Sequence, residues 1–336
     1  MKHISKITAI ALLATLSACE GSDMPIQQAD NHGYISFSAQ PQKTATRANP
    51  YEAYDPTRHP ATMGTFGYYD MPKRYASAAN TIFNNETATY NVATYGWDTA
   101  TKKRWTEYTK ASSFDFFAYM PYTGGATLLR TANNTYTLSF PFAMSDGGDP
   151  VPVIYDTKAA PIICAVPSSK GAISDSNRGG TVSLKFDQTL TGYKLLFMLG
   201  TKMNAIRHFR IKSVTLSGSF STSCTISRSY VWNTTSKSWS ASAITWSDIK
   251  RQSFVETPFP IAYKGYGSAD YDDNTQTVIV TSAGYTQWGA DIYTIPDPKF
   301  LPVNNVKYDV QLIEDHCTTI LTRKNVTSGI TIHKEK

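Results

Sequence analysis

Cysteine, paired histidine and runs of charge are scarce in this chain, and each scarcity removes a class of function. Four cysteines occur in 336 residues. Cys19 closes the leader, while Cys164, Cys224 and Cys317 are odd in number and far apart, so no disulfide framework is implied. They read as buried or half-buried thiols, or as one bridge with a leftover. The histidines are His3, His32, His59, His208, His316 and His333. No two lie at ligand spacing, which leaves a locally encoded zinc site without support. There is no Gly-x-Ser-x-Gly elbow and no phosphate loop. His316 and Cys317 are neighbours, and on a strand they would point to opposite faces, poorly placed as base and nucleophile. Neither catalysis nor a cofactor is expected. The formal charge of +6 contains no basic run of five or more, so nucleic acid is not an expected partner. The nearest approach to a cation loop is "ADYDDNTQ" at Ala269–Gln276, offering Asp270, Asp272, Asp273 and Asn274. It lacks the glycine and closing glutamate of a calcium loop and reads as a turn, with calcium the lesser reading.

Long amphipathic helices are missing as well. Charged residues reach 17% and aromatic residues 12%, a balance that favours pleated surfaces over solvated helices. The length suggests two units. Lys2 and Lys6, the apolar run Ile7 to Leu16 and "LSAC" ending at Cys19 form a targeting segment. That run is shorter than the roughly 20 residues a membrane-spanning helix needs. It resembles a bacterial lipoprotein signal peptide with its lipobox at Leu16–Cys19. Residues 1–18 would be removed and lipid attached to the Cys19 sulfur, so that the chain is exported and held to a membrane by acyl chains.

Residues 19–33 are polar with little periodicity, as a tether requires. The stretch "GYISFSAQPQKTATRANP", Gly33 to Pro50, then joins two unlike pieces. A short strand over 34–39 places Ile35 and Phe37 on one face and Ser36 and Ser38 on the other. It runs into a polar, Pro-broken segment holding Lys43 and Arg47. Beyond it, "GTFGYYD", "TATYNVA", "SFDFFAYMP" and "NTYTLSF" read as short strands separated by turn residues. "VPSSKGAISDSNRGG", Val166 to Gly180, has almost no apolar side chains and is the best linker. After it, "TVSLKFDQTLTGYKLLFMLG" reads as two consecutive strands on a buried sheet, and "IKSVTLSGSF", "SCTISRSYVW", "TQTVIVTSAG", "KYDVQLIED" and "GITIHKEK" continue the series. Strands at this spacing, split by one linker, predict two β-sandwiches in tandem, over 34–170 and 171–336.

The Cys19 lipobox, "ISFSAQPQKTATRA" from Ile35, "FGYYD" from Phe66, Trp105 followed by "FDFFAYMPY", "VSLKFDQTLTGYKLLFML" from Val182 and "IKSVTLSG" from Ile211 together resemble the fimbrillin family. These are the pilus subunits of Bacteroidetes and their fimbrillin-like relatives. The order and approximate spacing hold over nearly the whole mature chain; at Phe186–Gln188 this chain has "FDQ" where relatives often carry a histidine. The resemblance implies an all-β fold of two tandem transthyretin-like β-sandwich domains, and surface exposure at the outer membrane as a lipoprotein. It also implies cleavage by a trypsin-like protease after Arg47, before Ala48, with Lys43 as a competing site. Loss of the first strand, with Ile35 and Phe37, would open a groove for a strand of another pilus subunit, giving a head-to-tail polymer. "GITIHKEK" sets Ile330 and Ile332 on one face. It could be the donor strand or the last strand of its own domain.

Trp97, Trp105, Trp232, Trp239, Trp246 and Trp288, with the 21 tyrosines, leave a second reading open. They could form a platform for sugar rings on a monomeric, glycan-binding surface lipoprotein, or fill a β core. In the first case the opening strand stays attached.

Overall fold

The computed structural model describes residues 33–41, 60–71, 78–154, 160–173, 179–205, 209–258, 271–272, 277–280, 282–284, 286–296, 306–314, 320–323 and 331–335. Strands dominate. In chain order they begin with β1 (Ser36–Pro41), β2 (Thr62–Tyr69), β3 (Thr81–Asn91), β4 (Gly96–Thr99) and β5 (Ser113–Met120). Next come β6 (Thr127–Ala132), β7 (Thr135–Ala143), the two-residue strands β8 (Ser145–Asp146) and β9 (Asp149–Pro150), β10 (Ile162–Cys164), β11 (Ser168–Gly171) and β12 (Val182–Gln188). The remainder are β13 (Thr191–Phe197), β14 (Phe209–Asn233), β15 (Ser238–Ala241), β16 (Thr245–Pro258), β17 (Tyr271–Asp272), β18 (Thr277–Val280), β19 (Thr286–Thr294), β20 (Val306–Glu314), β21 (Ile320–Arg323) and β22 (Thr331–Glu335).

The first sheet closes on itself. Its strands run β10-β12-β1-β4-β3-β2-β5, and β5 pairs back to β10 through Met120 opposite Ile162 and Tyr119 opposite Ile163. Seven strands therefore make a barrel, with β11 paired along β5 beyond the closure. The expectation of two tandem transthyretin-like β-sandwiches is overturned here. The all-β class stands, but an open sandwich sheet keeps two edges, and a strand bonded to both ends of the series leaves none.

Burial explains the apolar character of β5. Phe114, Phe116, Ala118 and Met120 alternate with Asp115, Phe117 and Tyr119, and all seven are fully buried. Alternate residues of a strand face opposite sides. On one side Phe116 meets Phe37, ring centroids 5.7 Å apart, inside the barrel. On the other, Phe117 packs edge-on to Tyr230 at 5.3 Å and Trp239 at 5.5 Å, and Tyr119 stacks on Phe140 at 4.5 Å. A strand covered on both faces reads as one continuous apolar run.

The second sheet is built on β14, which runs 25 residues. It pairs with β7, β15 and β16 towards its C-terminal end and with β18 and β20 towards its start. "IKSVTLSGSF" and "SCTISRSYVW", which read as separate strands, are thus one bent strand whose register slips at bulges near Gly218 and Thr222. The runs on either side of Thr189 read as neighbours, but β12 belongs to the barrel and β13 to a three-stranded sheet ordered β19-β13-β22. Thr189 marks the crossing: its hydroxyl donates to the Pro161 carbonyl at 2.6 Å and its carbonyl accepts the Trp246 indole N–H at 3.1 Å. Strand pairing also crosses residue 170, since β12 lies in the barrel and β7 lies along β14.

A polar knot, part-buried at its ion pair and buried at Cys164 and Tyr230, joins barrel to second sheet. Arg228 of β14 pairs with Asp187 of β12 at 2.5 Å and also donates to the Cys164 carbonyl at 3.3 Å. Tyr230 donates its hydroxyl hydrogen to the same carbonyl at 2.7 Å and accepts the Cys164 thiol at 3.0 Å. Burial, partly offset by the Tyr230 hydrogen bond, pushes the Cys164 thiol up to about 11.

Candidate functional site

The first strand is a stave of the barrel. It pairs in parallel with β12, from Phe37 opposite Val182 to Pro41 opposite Phe186, and antiparallel with β4 over two positions only, Ser36 with Asp98 and Phe37 with Trp97. Ile35, Phe37 and Ala39 are buried in the core. Phe37 is 0% exposed and lies edge-on to Phe83 at 5.8 Å and Phe116 at 5.7 Å. Between these side chains, Ser36 is also buried, and its hydroxyl meets that of Thr181 at 3.3 Å. The slot is narrow because β4 approaches closely: a Cβ on Gly96 would stand 3.0 Å from the Phe37 carbonyl oxygen.

The N-terminal end of β1 is latched by residues that periodicity alone does not single out. The Ile35 N–H donates to the Lys103 carbonyl at 2.8 Å, and the Trp105 N–H donates to the Gly33 carbonyl at 3.0 Å. Arg104 donates to the Tyr34 hydroxyl at 2.9 Å, and its guanidinium lies 4.8 Å from the Tyr34 ring centroid; Lys102 lies 5.5 Å from it. The Tyr34 hydrogen bond, and then its charge interaction, hold the Arg104 guanidinium above its ordinary value. Solvent screens exposed cation–aromatic pairs of this kind, so each contributes little to stability.

Trp105 ties this latch to the neighbouring stave. It opens a short 3-10 turn, Trp105–Tyr108, and packs edge-on to Phe114 at 5.2 Å and Phe116 at 5.9 Å. Its indole N–H donates to the Gly180 carbonyl at 3.1 Å, just before β12. Gly179, at φ +73, lies so close to the indole that a Cβ there would stand 2.3 Å from the nearest ring carbon. Lys170 donates to the Gly179 carbonyl at 2.5 Å, and burial lowers its pKa. One tryptophan therefore holds the starts of both β1 and β12. The sequence marks Trp105 only through the family resemblance, because a lone aromatic in the polar run "TKKRWTEYTK" has no period to betray it.

The other expected positions fall as follows. Ile332 pairs with Leu195, in β22 at one edge of the three-stranded sheet. Cys19, Arg47, Ala48, Ile330, Cys317, Asp270, Asp273 and Asn274 lie outside the described residues. Cys164 and Cys224 are buried and free. Trp97 and Trp105 are fully buried, and Trp239 and Trp246 pack against the core. The described tryptophans do not line the open cleft of about 750 Å³ around Tyr122, Pro141, Phe142, Ile154, Cys224 and Lys250. Among the described residues no group of three or more His, Cys, Asp or Glu is placed to hold a metal ion, and no helix is long and apolar enough to cross a membrane.

The class so defined is an all-β protein with a closed barrel, one stave of which is an N-terminal strand joined to neither neighbour by a turn. The chain is structurally similar to a fimbrial protein from Bacteroides vulgatus ATCC 8482, at 15% identity and a TM-score of 0.43, over 87% of this chain and 88% of that one. It is also similar to a candidate cell adhesion protein from Bacteroides ovatus ATCC 8483, at 12% identity and a TM-score of 0.40, over 90% of this chain and 96% of that one. No protein-family model matches the chain, and no curated protein matches it in sequence.

Proposed function

We propose that this chain is a non-catalytic structural or adhesive subunit of a surface pilus, of the fimbrillin-like kind. It is exported as a lipoprotein anchored through Cys19 to the outer membrane. A trypsin-like protease then cuts after Arg47, releasing β1 from the chain that follows. The observation that carries the reading is the place of β1 in the barrel: a buried stave whose C-terminal end leads into the segment holding Arg47. Departure of that stave leaves unpaired backbone groups along β4 and β12 and empties the positions of Ile35, Phe37 and Ala39. Both are costly in water. A strand from another subunit restores the hydrogen bonds and the apolar contacts. Donor and acceptor surfaces differ, so each joint is head to tail and the assembly propagates.

Mild trypsin treatment of the purified chain, followed by N-terminal sequencing and gel electrophoresis, tests the reading. The expected result is a new start at Ala48 and SDS-resistant ladders. A product that still begins at Cys19 after exposure to the native host's proteases, with no oligomers, sinks it. An Arg47→Ala chain that assembles normally removes the cleavage step specifically.

A further inference from the structure

The slot is not a uniform apolar trough. Its three inward positions differ in size: a branched aliphatic side chain at Ile35, a full aromatic ring at Phe37 and a methyl at Ala39, each at most 8% exposed. The middle position is the most demanding. Phe37 is held edge-on between Phe83 and Phe116, a geometry that an aliphatic side chain does not reproduce. It is also the residue that pairs on both sides, with Trp97 of β4 and Val182 of β12. The third position lies opposite Leu184, which is itself fully buried, and is filled by a methyl alone.

The tail of this chain does not meet those requirements. "GITIHKEK", Gly329 to Lys336, contains two isoleucines two residues apart and no phenylalanine, tyrosine or tryptophan. Because the slot has one parallel and one antiparallel wall, an incoming strand meets one wall of each kind in either direction. In both directions an isoleucine enters the Phe37 position. Running the same way as β1, with Ile330 at the Ile35 position, the tail also sets Lys334 at the Ala39 position, where burial of an ammonium is strongly opposed.

From this we infer that the slot selects its occupant by an aromatic ring at the middle position. The occupant is a strand of a different subunit with the pattern aliphatic, x, aromatic, x, small, and the tail of a second copy of this chain is discriminated against. The inference rests on the exchange reading above, and names the partner class that such an exchange would take. Side chains that fill well-packed pockets at the centre of an interface dominate its affinity, so the penalty for leaving this one underfilled is expected to be at least about tenfold.

Peptides test this without altering the fold. The full-length chain is cut with trypsin, and capture of fluorescein-labelled peptides is followed by polarisation. The peptides are Gly33–Pro41, the same with Phe37→Ala, the tail Gly329–Lys336, and the tail carrying Ile332→Phe or Ile330→Phe. Capture of Gly33–Pro41, at least about tenfold weaker capture of the Phe37→Ala peptide and of the tail, and recovery in one of the Ile→Phe tails support selection at the ring. Tail capture within threefold of Gly33–Pro41, or equal capture of the Phe37→Ala peptide, overturns it. Capture of no peptide, with the Cys19–Arg47 fragment still bound to the cut chain in mild denaturant, overturns the exchange reading and this inference with it.

Discussion

Phe37 lies opposite Val182 in a parallel pair, and the residues before them, Ser36 and Thr181, touch through their hydroxyls across 145 positions of sequence. Parallel neighbours cannot be joined by a tight turn. The other neighbour, β4, is separated from β1 by the whole of β2 and β3. A strand inside a hairpin stays tethered after a cut on one side, whereas β1 is joined covalently to the other described strands only through the segment that follows it. One peptide bond broken after Pro41 therefore separates a buried stave from the rest of its barrel.

Replacing Phe37 with alanine should cost the intact chain about 3–5 kcal/mol, the range for emptying a packed phenylalanine site. Urea unfolding of intact and trypsin-cut chains measures it. After the cut and removal of the strand, wild type and Phe37→Ala should unfold at the same denaturant concentration, because the altered residue is gone. A difference that persists would mean that the first strand stays in place.

Tyr34→Ala should release the cut strand faster without changing where the cut falls. The hydroxyl bond from Arg104 and the cationic contacts from Lys102 and Arg104 are exposed, so they contribute little to overall stability. They are nevertheless the last contacts to break if β1 peels from its cut end. A roughly two- to tenfold faster loss of the Cys19–Arg47 fragment, followed by size exclusion over time, is expected. An unchanged rate would place the limiting step elsewhere along the strand.

Gly179→Ala should destabilise the chain by about 2 kcal/mol or more, because it combines a positive φ with a collision against Trp105. Thermal unfolding gives the size of the effect. Tryptophan fluorescence should shift with it if Trp105 is displaced. Gly180→Ala is the comparison: it shares a positive φ, but the nearest atom to its added Cβ is the flexible Lys170 amine at 3.9 Å. The smaller loss belongs there.

The strands themselves were largely legible in the sequence. Val182, Leu184 and Phe186 alternate with more exposed neighbours, as do Tyr136, Leu138 and Phe140, and each set faces the core. Ile35 and Phe37 likewise share the inward face that their spacing predicts. Barrel closure was not legible, since period-2 alternation reports which face is buried and carries no record of the partner strand. Nothing in "APIICAVP" announces that Ile162 and Ile163 bond to two strands at once. For the same reason β14 looked like two strands: its bulges break the alternation without ending the strand. The latch escaped because Tyr34, Arg104 and Gly179 act through contacts between distant segments, which leave no period in the sequence.

The polar knot at the barrel's closure gives the chain a definite alkaline weakness. Burial raises the Cys164 thiol from its ordinary 9.0 to about 11 in the folded chain, with the Tyr230 hydrogen bond opposing the rise. Below pH 9 the thiol is neutral in both folded and unfolded chains, so its contribution there is constant. Between pH 9 and about 11 the unfolded chain releases this proton while the folded one retains it, and stability falls. Two units correspond to about 3 kcal/mol at most. Cys164→Ala removes that loss, at the cost of the thiol's bond to Tyr230 and a small void at neutral pH. Denaturant midpoints of the two chains should therefore differ most below pH 9 and converge as pH approaches 11. Cys224, which burial raises to about 12, remains in both chains, so its titration cancels in the comparison; Tyr230 is held well above its ordinary value first by burial, and in the variant loses only the part that Cys164 adds. Cys164 sits on β10, the strand that seals β12 to β5, so alkaline loosening at this point should also speed loss of the cut first strand from its place beside β12. Fragment release measured at pH 8 and pH 10.5 in both chains checks that link; equal acceleration in Cys164→Ala would assign it to another group.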